Sequence, residues 1–249
     1  MPTLRHSVLA LCAAPLAFAL AACDSSSEDG APPPTGEPIA EIPAPAGQSW
    51  LEMAAVTPEG GYVIGNPAAP LKLVEYASHT CHVCAAFSQE GAAEMDEYVG
   101  TGVVSYEIRN LIRDPVDLTI ALLARCGQPS SFHPLANQAW QNFDSLMGTV
   151  QANGAAIDQA RELPEAQRFQ AIGQASGLLD FFAARGISRD QAMQCLGDLP
   201  KATQIVDASR AQSDELAIEG TPTFFLNGRR IQETSWAGLE PVLQAAGAR

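Results

Sequence analysis

Leu71-Lys72-Leu73-Val74-Glu75-Tyr76-Ala77-Ser78-His79-Thr80-Cys81-His82-Val83-Cys84 runs from an apolar segment into two cysteines separated by two residues, and this stretch decides the fold. Its first half reads as a strand and the cysteine pair as the head of a helix. A strand that delivers Cys81 to a helix N-terminus sets the sulfur where unpaired backbone N–H groups and the positive end of the helix dipole stabilise negative charge. Thiolate, the nucleophilic form, is favoured there. Val83, Phe87, Gly91, Met95 and the Tyr98-Val99 pair recur at intervals of about four and give the expected helix one inward face. Glu90, Glu94 and Glu97 fall largely on the other side. The competing reading of a lone C-x-x-C is half of a zinc site, which needs a second pair of ligands at short, regular spacing. The chain has no second C-x-x-C and no H-x3-5-H, and His79 and His82 flank the pair on a turn too tight for easy tetrahedral closure. A redox dithiol with no bound metal is therefore the expectation.

Outward from this stretch, residues 61–65 form a short strand candidate upstream and residues 102–108 an alternating one downstream. Strand, helix and strand make a βαβ unit whose two strands should lie parallel. From 115 to about 200 the pattern turns helical, with candidates at 118–126, 138–147, 166–184 and 189–196, and a further helix follows at 202–216. Thr223-Phe224-Phe225-Leu226 reads as a strand, Asn227-Gly228 as a two-residue hairpin turn, Arg229-Arg230-Ile231 as the return strand, and 236–246 as a closing helix. This order predicts an α/β protein with a thioredoxin fold that carries an inserted helical subdomain. Residues 50–114 and 202–249 make the thioredoxin-like domain and 115–201 the insertion.

Residues 1–22 carry one arginine, Arg5, and then an uncharged stretch that is short for a membrane span but suited to a signal peptide, so the chain is expected to be exported. Leu20-Ala21-Ala22-Cys23 resembles a bacterial lipobox, with cleavage before Cys23 and lipid attached to it; ordinary cleavage after small residues is the alternative. Asp24 resembles an inner-membrane retention signal. Residues 23–49 are poor in large apolar side chains and should act as a flexible tether with a reach of about 25–30 Å. These features place the protein in the periplasm of a Gram-negative bacterium, held to the membrane by lipid. No later segment is long and apolar enough to cross a bilayer. A net charge of −14 argues against nucleic acid as a partner. Of six cysteines, Cys12 leaves with the signal and Cys23 takes lipid, so an even number remains for an oxidising compartment. A structural bridge between Cys126 and Cys195 is expected; two buried free thiols are the alternative.

Two motifs taken together are specific. The segment from Glu75 to Cys84, followed far downstream by Gly220-Thr221-Pro222-Thr223-Phe224-Phe225-Leu226-Asn227-Gly228, resembles the DsbA-like thiol:disulfide oxidoreductase family, from about Gly61 to the C-terminus. The resemblance implies disulfide exchange with polypeptides through the dithiol itself, without a cofactor. Cys81 is then the attacking, more exposed sulfur and Cys84 the resolving one, because exchange passes through a mixed disulfide. A protonated His82 beside the Cys81 thiolate stabilises the reduced form and makes the disulfide more oxidising. Here the sequence departs from the family's Pro-His dipeptide, since His82 stands first and Val83 second. A plain surface histidine is the alternative for His82 and the preferred reading for His79. By resemblance Pro222 is cis, its loop lies against the dithiol, and backbone groups of Thr221 pair with an extended substrate peptide. A trans proline opening an edge strand is the other reading. Glu75 shares a strand face with Leu71 and Leu73. The resemblance places a buried acid there, able to take or return the Cys84 proton; the alternative is an end-of-strand carboxylate reaching solvent.

The leading function is an oxidant that donates its disulfide to polypeptides and is reset by a membrane redox partner. A reductase or isomerase on the same scaffold comes next. Isomerases of this kind usually depend on an added dimerisation domain, for which the tether is too short and too polar. The third reading is a non-enzymatic peptide-binding protein with structural or metal-bound thiols.

Overall fold

The computed structural model describes residues 36–249. Strands β1 (Ala54–Val56), β2 (Tyr62–Gly65) and β3 (Leu71–Ala77) lead into helix α1 (His82–Gly100), which returns to β4 (Val104–Asn110). Eight α-helices follow: α2 (Pro115–Ala124), α3 (Phe132–Gln141), α4 (Phe143–Ala152), α5 (Gly154–Arg161), α6 (Glu165–Ala175), α7 (Leu178–Ala183), α8 (Arg189–Leu196) and α9 (Leu199–Glu215). Strands β5 (Thr223–Leu226) and β6 (Arg229–Ile231) and helix α10 (Trp236–Ala245) close the chain. The sheet has the order β1-β2-β4-β3-β5-β6. β3 pairs in parallel with β4 across the α1 crossover and antiparallel with β5, so Glu75 lies between Ile108 and Phe224. This central position is why the strand is buried at its end, and it aims the segment leading to Cys81 out of the middle of the sheet.

α1 turns Cys84, Phe87, Gly91, Met95, Tyr98 and Val99 inward. Phe87 meets Phe224 of β5 at 4.7 Å between ring centroids. Gly91 is required by closeness: a Cβ there would stand 2.4 Å from the Trp236 ring of α10. In the insertion, α2 is buried along every residue from Val116 to Ala124, with α3, α6, α8 and α9 around it. No helix among the described residues is long and apolar enough to cross a membrane.

Several boundaries differ from those read in the sequence. α2 starts at Pro115 because Asp114 caps it, accepting hydrogen bonds from the N–H groups of Val116 and Asp117. The helix expected over 138–147 is two helices that meet at Asn142. The one expected over 166–184 is also two, separated at Gly177, whose φ of +73° suits a residue without a Cβ. β1 and α5 have no counterpart among the elements read from the sequence. The chain does not run free to residue 49, as the expected tether would. From Gly36 the chain lies on the domain: the N–H groups of Gly36, Ile39 and Ile42 donate to the carbonyls of Ala245, Gly247 and Thr101, and Trp50 Nε1 donates to the Ile42 carbonyl. Ile39 and Ile42 are half-buried, and two isolated apolar residues are too few to mark such a segment as packed. The expected signal peptide, Cys23 and Asp24 lie outside the described residues.

Candidate active site

Cys81 caps the N-terminus of α1 and Cys84 occupies its first turn. The cis peptide between Thr221 and Pro222 leads into β5, beside β3, and brings the Thr221 carbonyl 3.1 Å from Cys81 Sγ, whose thiol donates to it. That contact leaves Cys81 the more exposed sulfur of the pair, as expected, but only narrowly. Cys81 is 4% exposed and Cys84 0%, because the proline loop lies over the pair. The Cys84 thiol, hydrogen-bonded to the Cys81 sulfur, is the main reason the Cys81 pKa falls from 9.0 to about 4. Burial opposes it, while the Thr221 side chain and the N–H groups of Cys84 and Val83 add to it. The Thr221 carbonyl works the other way, since it is a partner for the thiol alone. Burial, the Cys81 contact and the nearby Glu75 push Cys84 well above its ordinary value. One sulfur thus ionises readily and the other keeps its proton. The thiolate is held chiefly by Cys84, Thr221 and backbone amides; His82, which the sequence reading favoured for this task, is exposed.

Glu75 is 1% exposed, on the inward face of β3. The structure buries it, against the reading of a carboxylate that reaches solvent. Its Oε2 accepts a hydrogen bond from Tyr106 Oη of β4, and its Oε1 has no partner among the described residues. The Glu75 pKa is raised to about 8, chiefly by burial; the Tyr106 hydrogen bond opposes that rise and the nearby Cys81 adds to it. Tyr106 is itself held well above the ordinary phenol range by burial and by Glu75, so it donates rather than ionises. A carboxyl that titrates near neutrality beside a protonated thiol can accept or return that proton.

His79 corrects the surface reading. It is 1% exposed and stacked on Trp140 of α3 at 4.7 Å, and burial drives its pKa to about 3. Trp140 is distant in sequence, so no local pattern reveals the contact. Asp117 escaped the sequence reading altogether. Fully buried in the first turn of α2, it accepts from Ser78 Oγ, His79 N–H and Arg113 N–H at 2.7, 2.8 and 3.0 Å. The signal for it exists: a helix apolar on every face leaves an acid in its first turn no side that meets solvent. Cys126 and Cys195 are joined by a disulfide that ties the end of α2 to α8, with a Cα–Cα distance of 5.8 Å. Cys81, Cys84, Glu75, Thr221 and Pro222 therefore converge, His82 stands at the mouth, and the bridge lies within the helical block. Among the described residues no group of three or more His, Cys, Asp or Glu side chains gathers as metal donors would.

A profile of the thioredoxin family matches residues 57–245. The crystal structure of a protein-disulfide isomerase from Novosphingobium aromaticivorans aligns with a TM-score of 0.72 and 31% identity, over 76% of this chain and 98% of that one. The crystal structure of α-DsbA1 from Wolbachia pipientis shares the fold at a TM-score of 0.59 and 21% identity, over 73% of this chain and 88% of that one. A Rickettsia conorii chain provisionally named a protein-disulfide oxidoreductase is 32% identical over 171 residues, and a Rickettsia prowazekii counterpart is 32% identical over 187. These alignments cover 67% and 74% of this chain, which spans 53% and 60% of the length of the two relatives.

Proposed function

The chain belongs to the thioredoxin family, and from that premise we propose that it is a DsbA-like thiol:disulfide oxidoreductase whose Cys81–Cys84 pair oxidises polypeptide thiols. The observation that carries the reading is the Cys81 sulfur at the head of α1, with a pKa of about 4. A stable thiolate stabilises the reduced protein and so makes its disulfide a stronger oxidant. In the oxidised protein a substrate thiolate attacks the Cys81 sulfur, the Cys81–Cys84 bond breaks, and Cys84 leaves and takes a proton from Glu75. A second substrate thiolate then attacks the substrate sulfur of the mixed disulfide, and Cys81 departs as thiolate. The substrate is oxidised by two electrons and the protein is reduced by two. Once Cys81 carries no proton, the Thr221 carbonyl is free to accept from the backbone of an extended substrate lying beside Pro222.

The thioredoxin-like part is assigned to residues 50–114 and 202–249 and the insertion to 115–201. The lipobox-like Cys23 supports export and attachment to a membrane, where a membrane redox partner reoxidises the dithiol. The test is equilibration with glutathione buffers. A DsbA-type oxidant has a potential near about −120 mV, against about −270 mV for thioredoxin. A value near the lower figure overturns the oxidant reading, and oxidation of a reduced polypeptide that survives Cys81→Ser removes the dithiol from the reaction. Isomerase is the second reading, favoured by the 31% identity to the Novosphingobium aromaticivorans protein-disulfide isomerase. Reactivation of a polypeptide with scrambled disulfides, without net oxidation, selects it.

A further inference from the structure

Residues 78–80 carry the chain from the end of β3 to Cys81, and each of them is gripped from the head of α2 or from α3. Ser78 Oγ donates to Asp117 Oδ2 at 2.7 Å and His79 N–H donates to Asp117 Oδ1 at 2.8 Å. Thr80 Oγ1 donates to Asp114 Oδ2 at 2.7 Å, and Trp140 Nε1 donates to the Ser78 carbonyl at 3.0 Å. Ser78 Oγ also accepts from Thr80 N–H at 3.2 Å. Ser78 and Asp117 are both 0% exposed. No ladder holds this segment, since β3 ends at Ala77 and α1 begins at His82. An isolated buried carboxylate is costly unless hydrogen bonds satisfy it. Asp117 has no ion-pair partner among the described residues, and two of its three hydrogen bonds come from a segment 38 and 39 positions away. Capping of α2 does not require this, because Asp114 already does it. The Ser78 carbonyl accepts from the Cys81 N–H at 3.3 Å and the Ser78 backbone works against the upward shift of Cys84, so displacement of Ser78 bears on both halves of the dithiol.

We propose that Asp117 is a positioning residue for the disulfide exchange described above: from the insertion it fixes Ser78 and His79 so that Cys81 stays seated at the N-terminus of α1. The inference rests on that functional reading. It gives the insertion a task in the chemistry, since the acids at the head of α2 and Trp140 of α3 are what hold the entry to the dithiol. Asp114 extends the same grip to Thr80.

Asp117→Asn tests it, because an amide must turn its N–H₂ toward the donors of either His79 or Ser78 and Arg113. Ser78→Ala removes one handle and leaves the backbone intact. Both are compared with the wild-type chain by thiolate absorbance against pH, glutathione equilibrium and thermal unfolding. The expected result is a higher titration midpoint for Cys81 in both variants, with the equilibrium moving toward the protein disulfide by about tenfold for each unit of rise. Variants that unfold at lower temperature yet titrate and equilibrate as wild type overturn the inference, leaving Asp117 a purely structural role. If Asp117→Asn does not fold, Ser78→Ala decides by the same two outcomes. A wild-type protein that never exchanges with glutathione removes the parent reading and this inference together, which is a different result from an active wild type matched by its variants.

Discussion

Cys84 does more than any other group to set the charge on Cys81, so Cys84→Ala should move the Cys81 titration upward from about 4 toward 9.0, by roughly one unit or more. Thiolate absorbance reads this directly, and an unmoved midpoint would assign the low value to the Thr221 side chain and the backbone amides of the helix N-terminus. Tyr106 plays the matching part for Glu75. Its hydrogen bond opposes the burial that raises this carboxyl to about 8, so Tyr106→Phe should carry the pH midpoint of Cys84 oxidation upward, and Glu75→Gln should remove that titration. Identical profiles in all three proteins exclude both residues from the proton step. The cysteine pair and the Gly220-Thr221-Pro222 segment were visible in the sequence because each is a local pattern. Glu75 was half visible: its alternation with Leu71 and Leu73 gave its face, and the central place of β3 then decided that the face is buried. Tyr106 and the burial of His79 were not visible, because each depends on a partner 31 or more positions away or on a ring stacked from another helix; the apolar helix around Asp117 signals its burial, but not its partners 38 and 39 positions away.

At the scale of elements, periodicity located α1, β3 and β5 while Asn227-Gly228 marked the β5–β6 turn, and periodicity failed where a helix stops inside an apolar pattern. Asn142 and Gly177 end helices while the hydrophobic spacing continues, and only the turn chemistry of those two residues marks the breaks. Gly91 belonged to the inward face of α1 by spacing, but its reason lies in α10. Gly91→Ala pushes a methyl group into the Trp236 ring and should lower unfolding stability by about 1–3 kcal/mol, read as an earlier denaturant midpoint with an unchanged slope. An unchanged midpoint would mean that α10 shifts freely away from α1. The Cys126–Cys195 bridge closes a loop of 69 residues within the helical block. Replacing both cysteines by alanine should cost about 2–5 kcal/mol. The Cys81 titration should not follow, because neither residue touches the dithiol or the segment that enters it; a shifted titration would show that α2 transmits the loss to Ser78.

For the whole molecule, the charge on one sulfur should be legible in the pH dependence of stability. His79 and His133 have pKa values lowered to about 3 and about 4, while Glu75 and Asp117 are raised to about 8 and about 7, and all four are present whichever state the dithiol is in. Their contributions largely cancel when the reduced and oxidised proteins are compared at the same pH. Cys81 does not cancel, because only the reduced protein has a thiol there to titrate. Below a pH of about 4 the thiol is protonated both folded and unfolded and contributes nothing. Between about 4 and 9.0 the folded reduced protein has released a proton that the unfolded chain still holds, so its unfolding free energy rises with pH. The reduced form should therefore gain stability relative to the oxidised form as pH rises across that window, and lose the gain as pH falls through about 4. Guanidinium midpoints of both forms, measured at about pH 5 and again at about pH 8, test the sign. A difference that stays flat between those points would mean that Cys81 is an ordinary thiol in the folded protein, and a DsbA-type potential would then have no physical source in this chain.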